Sequence, residues 1–280
     1  MRYIFFGTPE FAAIILKALC VAGFPPVAVV TNPDRPFGRK KIITPPPSKR
    51  VALEWNIPVL QPEKIDGKFI EKIQEINPEF FIVAAYAKIL PQALIDLPPK
   101  KAIGVHPSLL PKLRGTTPIQ SAILHGLDET GVTLFLLDSK ADHGPILAQK
   151  RLPVGGQSYR ILAHTLALAS GDLLVDTLPR WEKGEIHLMI QDETNATTTK
   201  KFSSEDGYVP IEVLERAESG EEILASQVER KIRALNPEPG VYTMREGGRI
   251  KLLEAMLEGK KLKLLTVQRE GKKPEPFRGL

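Results

Sequence analysis

Between residues 2 and 137 short apolar runs alternate with segments that repeat apolar residues at helical spacing, and this alternation restricts the fold more than any other feature. The runs at 2–6 (RYIFF), 27–31, 58–60 and 80–85 are short and continuously apolar, which predicts strands buried on both faces. Between them, Gly7-Thr8-Pro9 turns the first strand into a helix opening with Glu10, residues 48–55 suit a helix, and Ile65, Phe69, Ile73 and Ile76 repeat on one face before Asn77-Pro78. Strands and helices in this order predict an α/β, Rossmann-like, doubly wound and mainly parallel sheet. Ligands of such sheets sit beyond the carboxyl ends of the strands. No GxGxxG follows the first strand, so no dinucleotide site is predicted. The segment 32–48, with Gly38 and Pro45-Pro46-Pro47, reads as an exposed loop.

The stretch 102–149 carries the chemistry. A short strand delivers His106 to the turn Pro107-Ser108-Leu109-Leu110-Pro111, whose flanking prolines limit its backbone. Thr117-Pro118 opens a helix running to Gly126, 131–137 is a buried strand, and 138–145 is a polar loop containing Asp138, Asp142 and His143. Tyr86, His106 and Asp142 thus all fall at or just beyond strand ends. A lone His or Asp in a loop is more often a surface or capping group, so it is the motif around them that raises them to candidates.

Beyond this stretch, 146–154 suits a strand and 157–178 a long helix with Leu162, Leu166, Leu173 and Leu174 inward, closing at Pro179. Residues 191–201 lack helical period and read as a crossing segment. A helix at about 221–235 then precedes strand-like runs at 240–244, 249–255 and 261–267, separated by Glu246-Gly247-Gly248 and Glu258-Gly259-Lys260. The expected organisation is a first domain over 1–190, a linker over 191–207 and a small antiparallel barrel domain over 208–280.

One cysteine in 280 residues precludes an internal disulfide, which fits a reducing cytoplasm. The apolar start stops at Gly7-Thr8-Pro9, too short for a signal-peptide core, and no uninterrupted apolar run suits a membrane, so a soluble monomer is expected. The five histidines are scattered without metal-ligand spacing, so no metal is expected. The net charge of +5 is unevenly spread. Six basic and no acidic residues lie in 35–50, including Arg39, Lys40 and Lys41, and thirteen basic against seven acidic lie in 228–280. Two basic patches on an otherwise acidic body predict a phosphate-backbone partner.

The string HPSLLPxxRGxxP from His106, followed by TGVT and DHGPIL, resembles the formyltransferase family that uses 10-formyltetrahydrofolate. FFGTPEFA, TNPDRPFGRKK, IPVLQPEKI and AAYAKILP, with FSSEDG and IRALNPEPGVYT near the end, are similar to the branch that formylates methionine on initiator tRNA. The resemblance implies that His106 and Asp142 are catalytic, and that Ser108, Leu109, Leu110, Pro111, Tyr86 and Asp138 lie against the folate. It implies that Arg39, Lys40 and Lys41 embrace the tRNA, and that 208–280 is an oligonucleotide-binding-type barrel, shortened between Ala255 and Leu262. The implied donor is 10-formyltetrahydrofolate and the implied partner initiator methionyl-tRNA. One position departs: the family pattern has Asn-Val-His where this chain has Gly104-Val105-His106. Related folate hydrolases also lack that asparagine, and Gly104 is expected to leave room for a water. Three readings therefore stay open: formyl transfer, hydrolysis of 10-formyltetrahydrofolate, or a catalytically impaired tRNA- and folate-binding variant.

Overall fold

The computed structural model describes residues 1–38, 41–245 and 248–278, which form two compact units. The first comprises 1–115, 130–152 and 163–198, and the second 116–129, 153–162 and 199–280. In chain order the elements begin with β1 (Tyr3–Gly7), α1 (Glu10–Val21), β2 (Ala28–Val30), β3 (Arg35–Phe37), β4 (Ile42–Thr44), α2 (Pro47–Glu54) and β5 (Val59–Leu60). There follow α3 (Gly67–Ile76), β6 (Phe80–Ala84), α4 (Gln92–Ile95), β7 (Ala102–His106), α5 (Pro118–Leu124), β8 (Glu129–Leu136), β9 (Ile146–Pro153) and α6 (Tyr159–Glu182).

Among the described residues the first unit is built on a seven-stranded sheet in the order β5-β2-β1-β6-β7-β8-β9. The pairs from β5 to β7 are parallel, and β8 runs antiparallel to β7. Central β1 is apolar because both of its faces are covered: Tyr3, Ile4, Phe5 and Phe6 have no exposed surface. Tyr3 stacks on Phe80 at 5.0 Å between ring centroids, and Phe6 meets Phe81 edge-on at the same distance. Gly7 is required where β1 turns into α1, since a Cβ there would stand 2.6 Å from Ala12 Cβ and 2.9 Å from Ala84 O. Register aligns Gly7, Ala84 and Val105 across three neighbouring strands, so Thr8, Ala85 and His106 lie along one carboxyl rim.

Two expectations need correcting here. The segment read as a loop after β2 contains the antiparallel hairpin β3–β4, with Ile42 and Ile43 exposed; short paired runs flanked by Pro and Gly carry too few apolar contacts to register as strands in the sequence. Helix α6 does not stop at Pro179 but carries it inside and ends at Glu182. A proline removes one hydrogen bond from the helix, and here the last turn closes through Lys183 N to Pro179 O. By length and composition α6 could cross a membrane; half of its apolar window is buried inside the protein, and Gly171 lets it approach Ala18 of α1.

The second unit holds α5 and, further along, α7 (Ile211–Ser219), α8 (Glu222–Leu235), β10 (Tyr242–Arg245), β11 (Gly248–Glu258), β12 (Lys261–Arg269) and β13 (Glu275–Pro276). The four strands form an antiparallel sheet in sequence order, with Leu252, Leu262, Leu264 and Val267 buried. Strands β11 and β12 join directly through Gly259-Lys260, with Glu258 paired to Lys261. The first two residues of the expected Glu246-Gly247-Gly248 turn lie outside the described residues. Helix α7 is an element the sequence reading does not include, although Pro210, Glu212 in the first turn and Gly220 at φ 114° are its start and stop signals.

Candidate active site

The site grows from the register between β7 and β8, which sets His106 opposite Thr133 and Gly104 opposite Phe135. His106 ends β7 and is 5% exposed. Its Nε2 lies 2.9 Å from the carbonyl of Leu113. A carbonyl only accepts, so the ring carries a proton on Nε2 and turns Nδ1 toward Asp142, whose Oδ2 is 3.6 Å away. That spacing exceeds a hydrogen bond. Asp142 Oδ2 also accepts from the backbone N–H of Gly115 at 2.8 Å.

The turn after His106 is held by hydrogen bonds to the residue that follows it and to β8 and β9. Ser108 Oγ donates to Lys112 O at 2.6 Å, and Thr133 Oγ1 donates to Ser108 O while accepting from Leu110 N and Gln149 Nε2. Thr133 has no capacity left, and Gln149 also donates to Leu110 O. The Leu110–Pro111 peptide is cis. Of the turn residues expected to meet a ligand, Ser108 and Leu110 are buried, whereas Leu109 and Pro111 are half-buried.

In the loop after β8, Asp138 Oδ1 accepts from Lys140 N and Oδ2 lies 2.6 Å from His143 Nδ1; the other ring nitrogen of His143 is 3.5 Å from Glu193. Glu193 grips Arg114, with Nη2 to Oε1 at 2.6 Å and Nη1 to Oε2 at 3.0 Å. The Arg114 hydrogen bonds hold the Glu193 carboxyl below its ordinary range, and the same bonds raise the guanidinium above its own. Arg114 also donates to Gln191 Oε1, and Gln191 Nε2 donates to the carbonyls of Asp142 and Gly144. Residues 191–198 therefore belong to the first unit and fasten to the site, although they read as a crossing segment. The composition of that segment gives no sign of it, because these partners are 47 to 79 residues away in the chain.

His106, Asp142, Asp138 and the 107–111 turn are brought together. Tyr86 follows β6, the strand beside β7, packs edge-on against Phe6 at 5.6 Å, and buries its hydroxyl with no partner among the described residues; that burial pushes it up to about 12. Lys41 is exposed at the β3–β4 turn, while Arg39 and Lys40 lie outside the described residues.

Gly104 does not leave room for a water. A Cβ built there would stand 2.5 Å from Phe135 Cε1 and 2.6 Å from Cζ, so the aromatic ring already fills the space. Phe135 is itself buried against Leu110 and Ile146.

The family model described as formyl transferase matches residues 1–177, and the model for the formyl transferase C-terminal domain matches 224–263. A methionyl-tRNA formyltransferase of Chloroflexus aurantiacus is 43% identical over 258 residues, covering 91% of this chain and 80% of that protein. Among solved structures, a methionyl-tRNA formyltransferase from Clostridium thermocellum aligns over the whole of both chains with a TM-score of 0.62 at 16% identity. HypX from Aquifex aeolicus in complex with tetrahydrofolic acid gives 0.66 at 16% identity, over 99% of this chain and 46% of that one. At such identities these two structures speak for the fold, and the sequence matches carry the rest: the chain belongs to the formyl transferase family.

Proposed function

We propose that this protein transfers the formyl group of 10-formyltetrahydrofolate to the α-amine of initiator methionyl-tRNA, working as a cytoplasmic monomer without a metal. The observation that carries the reading is the approach of Asp142 to His106, which ends β7 at the carboxyl rim, inside the stretch that matches the formyl transferase model. In the reaction the amine nitrogen bonds to the formyl carbon and the carbonyl electrons move onto oxygen. Asp142 accepts the proton released by the amine. His106, its Nε2 proton engaged by Leu113 O, offers the oxyanion a donor from Nδ1 when that atom is also protonated. Collapse then breaks the bond from carbon to N10 of the folate, and the proton held by Asp142 passes to N10.

The donor set suits a folate. Leu109 and Pro111 offer half-exposed apolar surface, and the loop carboxylates of Asp138 and Asp142 are partly exposed, the combination an amphipathic heterocycle with N–H groups requires. In this reading the catalytic domain, expected over 1–190, extends through 198, residues 208–280 are the tRNA-binding domain, and Arg39, Lys40 and Lys41 contact the tRNA backbone. Because Phe135 fills the space beside Gly104, the hydrolysis reading loses the water site that motivated it.

The test is single-turnover formylation of methionyl-tRNA, run beside deformylation of 10-formyltetrahydrofolate without tRNA. Formyl-methionyl-tRNA should form, with little loss of formyl group in the control. Deformylation as fast as transfer would move the assignment to hydrolysis, and tight binding of both substrates with neither reaction would make this a binding protein.

A further inference from the structure

We infer that Arg114, Gln191 and Thr197 are positioning residues, a clasp that sets His106 and Asp142 at their working separation; this rests on the formyl-transfer reading of that pair. The centre of the clasp is the Gln191 side chain, 6% exposed. Both of its amide hydrogens go to the 142–144 loop, to Asp142 O at 2.9 Å and Gly144 O at 2.8 Å. Its oxygen accepts from Arg114 Nε at 3.1 Å and Nη2 at 2.7 Å. A buried amide with every donor and acceptor used has one low-energy placement, and it imposes that placement on its partners.

Three consecutive residues spread the constraint. Leu113 O holds the His106 ring, Arg114 holds Gln191, and Gly115 N holds the Asp142 carboxylate. The backbone that does this is not one the chain adopts unaided: Leu113 has φ 59°, Gly115 109° and Asp142 50°. A left-handed leucine persists only where surrounding contacts hold it, while aspartate adopts that conformation at a lower cost. Thr197 supplies those contacts at the first site, accepting from Leu113 N through Oγ1 at 2.8 Å and from Arg114 N through its carbonyl at 2.8 Å. Gln191 supplies them at the second, through Asp142 O. The 3.6 Å gap between Nδ1 and Oδ2 is therefore maintained by groups outside the pair.

Gln191→Glu keeps an oxygen toward Arg114 and removes both donors to the loop. Thr197 is exposed, so Thr197→Val deletes its hydroxyl at constant shape while Thr197→Ser retains it. We expect Gln191→Glu to lower the single-turnover rate at saturating substrates by about tenfold or more, with KM for tRNA within about twofold of the parent, as misplacement of reacting groups does. Thr197→Val should lower the same rate several-fold and Thr197→Ser should restore it. The NMR chemical shifts of the His106 ring should move in Thr197→Val but not in Thr197→Ser, a signature that simple destabilisation does not produce. Parent-like rates in Gln191→Glu and Thr197→Val with parent-like His106 ring shifts in Thr197→Val, even with lowered melting temperatures, would overturn the inference. Should Gln191→Glu fail to fold, the Thr197 pair decides alone. A parent that transfers no formyl group would sink the functional reading instead, and the His106 ring shifts would still test the clasp.

Discussion

Gly104 of β7 and Phe135 of β8 are cross-strand partners with complementary shapes: the phenyl ring occupies the volume that any side chain at 104 would enter, to within 2.5 Å of its Cβ. The position where the family pattern has an asparagine thus cannot receive one while the ring stays in place, and the ring is buried against Leu110 and Ile146.

Gly104→Asn alone is expected to overpack this contact, costing about 1–3 kcal/mol of stability and giving no faster transfer. Combined with Phe135→Ala, which frees the volume, the asparagine amide can add an oxyanion donor worth roughly 10²–10³ in rate when correctly placed. Melting curves and single-turnover formylation of the two single variants and the double variant check this. A single Gly104→Asn variant that is as stable as the parent and faster would show that the ring yields easily.

Asp142→Ala should abolish measurable transfer, a loss of about 10²–10⁴ for a proton acceptor, with the fold kept because the side chain is partly exposed. His106→Ala should lose transfer as well, but at a structural cost. The imidazole is buried rather than standing free at a cleft edge, and its removal orphans Leu113 O, for about 1–3 kcal/mol. Thermal unfolding beside the transfer assay separates the two effects. Parent-level activity in either variant would end the catalytic assignment.

Lys41 is exposed where β3 turns into β4, and it follows Arg39 and Lys40 directly in the sequence. Arg39→Ala with Lys40→Ala and Lys41→Ala should leave the melting temperature unchanged and weaken tRNA binding. The salt slope of the tRNA dissociation constant should fall in magnitude by about one for each phosphate that is no longer neutralised. An unaltered slope would remove the hairpin from the tRNA site.

Asp206 closes the FSSEDG turn by accepting from Lys200 and from the backbone and hydroxyl of Ser203. The Lys200 bond first, and the Ser203 backbone second, hold its carboxyl down to about 2 from an ordinary 3.8. A depressed carboxyl stabilises the fold fully above its unfolded value, and that contribution is lost as pH falls through the folded one. The melting-temperature gap between the parent and Asp206→Asn should be constant near neutral pH and shrink between about pH 4 and pH 2. A gap independent of pH over that range would show that the carboxylate is not what holds the turn.

Much of the architecture was legible in the chain itself. Strands β1, β2, β6, β7 and β8 announce themselves as short apolar runs, and α3 as an apolar stripe ending at Asn77, which adopts φ 52° before Pro78. Both follow from local rules, since burial on two faces demands continuous apolarity and burial on one demands a helical period. Helix α7 obeys the same rules and was readable from Pro210 and Gly220. The hairpin β3–β4 was not, because its pairing buries too little to leave a pattern.

His106 was legible for a different reason, since a doubly wound sheet presents the residues at its carboxyl rim; Asp142 was legible only from the local motif around it, because β8 runs antiparallel to β7 and its loop leaves from the opposite end. What the chain alone determined, then, is the sheet, its rim and the motif that makes His106 and Asp142 candidates. Only the tertiary structure decided that Gln191 and Thr197 hydrogen-bond the backbone at Asp142 and at Leu113-Arg114, that Leu113 O selects the His106 tautomer, and that Phe135 stands in the place of a side chain at 104. Local propensity is written in neighbouring residues and can be read there. These three relationships are hydrogen bonds and contacts between residues from 7 to about 80 positions apart, and such partners acquire their geometry only when the sheet has brought them together.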